Sequence, residues 1–146
     1  MKLVLNIIFK YKNFAKSLVY HNSALNKQLV FVQIHSEEVE HPIKDHYFLG
    51  VLDFMSKKIT ILDSLGKNRS TLHYRLTFYA LLHLANIISN TGNIKFEHFD
   101  WSLILSNDCS QQSDGCSCGL FVILNIAFIL IGHQLFSIKD TKLARH

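Results

Sequence analysis

The chain has 146 residues, 49% of them hydrophobic and 18% charged, with six glycines and one proline. That excludes a disordered tail and a fibrous or low-complexity protein, and it fits one domain spanning 1–146 with a core of its own. The net charge is +4 with no Lys/Arg run longer than two, so there is no basic tail for nucleic acid. Three cysteines are too few for a disulfide scaffold and read as reduced thiols in an intracellular protein.

Residues 1–27 are weakly periodic and are assigned no element. The apolar start around Leu3 and Ile7 is broken by Asn6 and followed by Lys10 and Lys12, a poor signal peptide without a small-residue cleavage site. Residues 29–35 (LVFVQIH) read as a strand, 36–45 as a polar loop containing Pro42, and 47–54 (YFLGVLDF) and 58–62 (KITIL) as two strands joined by a turn at 55–57. The three strands suggest an antiparallel meander. From Ser70 the period changes to that of a helix. Leu72, Leu76, Ala80, Leu84 and Ile87–Ile88 form its expected apolar stripe, Ser70 can cap it, and Thr91-Gly92-Asn93 stops it. Residues 101–105 (WSLIL) read as a fourth strand and 107–117 as a polar loop. A long apolar helix starts at Cys118–Gly119, with Leu120, Phe121, Leu124, Ala127, Phe128 and Ile131 expected to face the sheet. The apolar stretch is shorter than a membrane span needs, so it reads as a core helix. Strands followed by interposed helices, without regular alternation, give an α+β class.

Four residues have the types needed for thiol catalysis. His46 opens one strand and Asp63 ends the next, so a hairpin would bring them close. A carboxylate beside an imidazole sets its tautomer and stabilises its charged form. Cys118 lies where a polar loop enters a helix, whose free N–H groups stabilise negative charge on a thiolate or an oxyanion. Gln112 can supply a side-chain amide as a second oxyanion donor. Plain structural roles fit the same residue types: a strand-edge His46, a turn-forming Asp63 and a small buried Cys118. Cys109, Cys116 and Cys118 lack zinc-site spacing, no glycine loop cradles phosphate, and His73 and His83 read as surface or boundary residues of their helix.

The motifs go further. HYFLGVLD at 46–53, ITILDSL at 59–65 and QQSDGCSCGLFV at 111–122 resemble three blocks of the ubiquitin-like-protein-specific cysteine proteases, also called SUMO or sentrin-specific proteases. In that family a His-Trp pair opens a strand, Asp-Ser-Leu ends the next, and Q-Q-x-N-G-x-D-C-G precedes the cysteine helix. The seventeen positions from His46 to Asp63 and the order His, Asp, Gln, Cys also agree with the family. The resemblance covers about residues 29–145.

It implies a papain-like fold, with an antiparallel sheet of about four strands on the cysteine helix. It implies Cys118 as nucleophile, His46 as base and then acid, Asp63 as the residue orienting His46, and Gln112 with the Cys118 N–H as oxyanion hole. Tyr47 falls on the tryptophan that covers the diglycine tunnel. The implied reaction is cleavage after the C-terminal diglycine of SUMO or a related modifier, in the nucleus or cytoplasm. A monomer without cofactor, metal, nucleic acid or membrane is expected. Tyr47, Asp114 and Ser117 depart from the usual Trp, Asn and Asp. The tryptophan motif of the family's N-terminal tunnel wall has no counterpart before Trp101. A relative that holds a modifier without cutting it is the alternative.

Overall fold

A computed structural model describes residues 2–3, 19–22, 27–37, 45–66, 71–106 and 109–131. Five strands come first: β1 (Lys2–Leu3), β2 (Val19–Asn22), β3 (Lys27–Glu37), β4 (Asp45–Asp53) and β5 (Lys58–Leu62). Helix α1 (Thr71–Thr91), a 3-10 turn (His98–Asp100), strand β6 (Ser102–Leu105) and helix α2 (Cys118–Leu130) follow. The expected Ser70 cap, the Pro42 loop at 38–44 and the charged segment at 139–145 lie outside the described residues.

The alternation of apolar side chains builds a sheet covered on both faces. Val30, Val32, Phe48, Leu52, Ile59 and Ile61 pack against Leu81, Leu82, Leu84 and Ala85 of α1 on one face. Phe31, Leu49, Val51 and Leu62 pack against Val122, Ile126, Ile129 and Leu130 of α2 on the other. The class is α+β, as the sequence suggests.

β3, β4 and β5 form the expected antiparallel meander. β3 and β4 are longer than read from sequence. Ser36 pairs with His46 and Glu37 with Asp45, because ladder bonds are made by the backbone whatever the side-chain polarity. The fourth strand corrects an expectation: β6 joins β5 in parallel, so the sheet is mixed. Helix α1 supplies the crossover that a parallel neighbour requires. Lys57 sits at φ 52° in the β4–β5 turn and pairs with Asp100, while its carbonyl accepts from the Ser102 N–H. These contacts anchor the start of β6. In the stretch left unassigned, β1 and β2 both pair with β3.

Both helices present faces other than those expected. On α1, Leu72 and Leu76 are exposed, whereas His73, Tyr74, Thr77, Leu81, Ala85 and Ser89 are buried with Leu84. His73 is therefore a core residue, not a surface one; His83 is exposed. Thr77 enters the core with its hydroxyl satisfied: it donates to the His73 carbonyl at 2.9 Å. On α2, Phe121 is buried as expected, but Val122 and Asn125 are buried too, while Ala127 and Ile131 are exposed. A helix apolar all round carries no stripe to mark its inner side.

Candidate active site

The β4–β5 hairpin positions the first two groups. Continuing the register one step past Leu49–Leu62 sets Phe48 opposite Asp63, so His46 is its diagonal neighbour on the same face. Phe48 stacks on the His46 ring at 5.8 Å between centroids and helps fix its plane. His46 is fully buried, and its Nε2 lies 2.6 Å from Asp63 Oδ1. Nδ1 of His46 has no hydrogen-bond partner among the described residues. With Nε2–H directed at the carboxylate, the neutral ring presents a lone pair at Nδ1, the arrangement of a poised base.

Asp63 is itself held from several sides. Its Oδ1 also accepts from the Leu65 N–H at 2.8 Å, and the Tyr74 hydroxyl reaches Oδ2 at 3.3 Å. Its carbonyl accepts from the Gly66 N–H at 3.0 Å, the Gln111 amide at 3.1 Å and the Cys109 thiol at 3.3 Å. Burial pushes the Cys109 thiol above its ordinary range, so it stays protonated as a donor. Cys109 thus braces Asp63, while Cys116 is exposed.

The loop before α2 is clamped to the end of β5. The Gln112 N–H donates to the Ser64 carbonyl at 2.9 Å, and the Ser64 hydroxyl donates to Gln112 Oε1 at 2.6 Å. Gln112 Nε2 donates to the Asp114 carbonyl at 2.6 Å. The Asp114 carboxylate accepts from the N–H groups of Cys116 and Ser117 at 3.0 and 2.8 Å, and from the Ser117 hydroxyl at 2.7 Å. Asp114 therefore forms the turn that delivers the chain into the helix. Ser117 makes no side-chain cap bond, so its hydroxyl does not block the first turn of α2. Cys118 is the first residue of that helix and is buried. The N–H groups of a first helical turn lack intrahelical partners and can receive an oxyanion.

The structure thus bonds His46 directly to Asp63, ties Gln112 to the residue after Asp63, and places Cys118 six positions further on at the helix start. Tyr47 points to the opposite face of β4 from His46. It packs with the cluster that contains Val122 and stacks on His35 at 4.7 Å. The sequence reading assigned no role to Ser64, Tyr74, Cys109 or Asp114. Two of them had a signal: Ser64 in the Asp-Ser-Leu run, and Asp114 at the Asn position of the block before the cysteine helix. Among the described residues no cluster of three or more His, Cys, Asp or Glu side chains could hold a metal ion, and no helix is long and apolar enough to cross a membrane.

Residues 12–143 match the model of the Ulp1 protease family, C-terminal catalytic domain. No curated protein sequence matches the chain. Among solved structures, SUMO protease Ulp1 with its catalytic cysteine oxidised to a sulfinic acid is 25% identical over 80% of this chain and 47% of its own, with a TM-score of 0.55. The form oxidised to a sulfonic acid is 20% identical over 99% of this chain and 62% of its own, TM-score 0.58. The C-terminal Ulp1 protease domain in complex with Smt3, the yeast ortholog of SUMO, is 19% identical over 99% and 61%, TM-score 0.57. The chain spans about half to three-fifths of the length of these structures.

Proposed function

The chain belongs to the Ulp1 protease family, and from that premise we propose that it is a cysteine peptidase cleaving after the C-terminal diglycine of SUMO or a related ubiquitin-like modifier. The observation that carries this reading is the buried His46–Asp63 bond at 2.6 Å, with His46 Nδ1 left for a proton. A protein that only held a modifier tail would need neither.

In this mechanism Nδ1 takes the Cys118 proton and the thiolate attacks the carbonyl carbon of the terminal glycine. Asp63 stabilises the imidazolium that forms. The oxyanion is received by the Cys118 N–H and by Gln112 Nε2. On collapse the C–N bond breaks, His46 returns its proton to the leaving amine, and a thioester remains on Cys118. Water, deprotonated by His46, then releases the modifier with a free carboxylate. Tyr47 covers the diglycine as an aromatic roof. The protein works as a monomer in the nucleus or cytoplasm, without a cofactor.

The test is a panel of ubiquitin-like modifiers carrying a C-terminal electrophile. The expected result is labelling with the SUMO probe that Cys118→Ala abolishes and His46→Ala reduces by several orders of magnitude. Labelling that persists in Cys118→Ala overturns the nucleophile; a near wild-type rate in His46→Ala overturns the base.

A further inference from the structure

We propose that Ser64 is a positioning residue for the oxyanion hole, setting which end of the Gln112 amide faces the reacting carbonyl. The proposal rests on the reading above, in which Gln112 Nε2 donates to the oxyanion.

An amide side chain has two ends of nearly equal shape and opposite hydrogen-bond character. An oxyanion needs the NH₂ end, and a flipped Gln112 would present a repelling oxygen. Two contacts of Gln112 prevent the flip. The Asp114 carbonyl, which can only accept, lies 2.6 Å from Nε2. The Ser64 hydroxyl donates to Oε1 at 2.6 Å. Both Ser64 and Gln112 are buried, so water does not easily replace that donor. Asp114 uses one of the two amide hydrogens, and the second remains for the substrate. The Gln112 N–H bond to the Ser64 carbonyl, at 2.9 Å, holds the backbones together while the side chains are aligned. Ser64 directly follows Asp63, so a single turn after β5 orients the base through one residue and the oxyanion donor through the next.

The experiment separates oxyanion stabilisation from thiol activation. Variants Ser64→Ala, Ser64→Thr, Ser64→Val, Gln112→Ala and Ser64→Ala/Gln112→Ala are made in a Cys116→Ser background. Each is assayed for hydrolysis of SUMO bearing a C-terminal aminomethylcoumarin, and for alkylation of Cys118 by iodoacetamide, a displacement that develops no oxyanion. Gln112→Ala is expected to lower kcat by about 10²–10³-fold. Ser64→Ala and Ser64→Val lower kcat by about tenfold or more with little change in KM, as expected for a group acting only in the transition state. Ser64→Thr, which keeps the hydroxyl, restores most of the rate. The Ser64 effect vanishes in the double variant, and alkylation of Cys118 stays at the wild-type rate in every Ser64 variant.

Wild-type kcat in Ser64→Ala or Ser64→Val, or losses that multiply in the double variant, overturn the proposal while a slow Gln112→Ala keeps the oxyanion reading. Alkylation falling in step with kcat also overturns it, by placing Ser64 on the Asp63 side of the mechanism. A fully active Gln112→Ala removes the oxyanion reading itself.

Discussion

Asp63 is held by hydrogen-bond donors at both its carboxylate and its carbonyl. Two go to Oδ1, one to Oδ2 and three to its carbonyl. A buried carboxylate is tolerated only with such company, because an unpaired charge in the interior is strongly disfavoured. The consequence is rigidity at the atom that sets the His46 tautomer. Asp63→Asn keeps the shape but removes the charge that stabilises imidazolium. We expect hydrolysis of the SUMO substrate to fall about 10³–10⁴-fold with the melting temperature little changed. A loss of under tenfold, measured as kcat/KM, would show that Asp63 does not orient the base.

At the scale of elements, the site exists because two helices lie on opposite faces of one hairpin. Gly50 on β4 sets how closely α1 approaches. A Cβ there would stand 2.7 Å from Leu81 Cδ1 and 3.1 Å from Ile34 Cδ1. Gly50→Ala is expected to destabilise the fold by about 1 kcal/mol or more through overpacking. Gly119, in the first turn of α2, has nothing within 4 Å of its added Cβ. Gly119→Ala should therefore stabilise the fold by about 0.5 kcal/mol, the helix propensity difference. Denaturant melts of the two variants check the pair, and equal effects of the same sign would contradict the packing described. The Asp114 turn belongs to the same scale. It lets a helix begin at Cys118 without a side-chain cap over its first N–H groups.

Across the whole molecule, the core and the site share atoms. Cys109 belongs to the cluster between the sheet and α2, and its thiol also donates to the Asp63 carbonyl. Burial raises its pKa in the folded state, so the folded chain holds that proton more tightly than the unfolded chain does. The resulting stability is fully present below about pH 8.5, the unfolded value, and is lost as pH rises through the folded-state value. Cys109→Ala should thus be destabilising at neutral pH, with the penalty shrinking as pH rises above the unfolded thiol value of about 8.5. Thermal melts of both proteins from neutral to alkaline pH test it; a penalty independent of pH would show that the thiol does not titrate with folding.

Strand periodicity, the helix start at Cys118 and the pairing of His46 with Asp63 were legible in the sequence, because each depends on local pattern or on motif spacing. The meander followed from three alternating runs and one short turn. The seventeen positions between His46 and Asp63 match a hairpin that returns the chain beside itself. What the tertiary structure decided was which side of each helix is inside and how the last strand joins. On α1, Leu72 is 63% exposed while His73 is fully buried, since apolar periodicity does not record which side of a helix the sheet will cover. On α2, apolar residues all round left the inner face to be chosen by the sheet it meets. The parallel pairing of β6 depends on a crossover spanning α1, and the Ser64–Gln112 bond joins residues 48 positions apart. Neither has a local signature, because long-range contacts are selected by the whole packed arrangement and not by neighbouring residues.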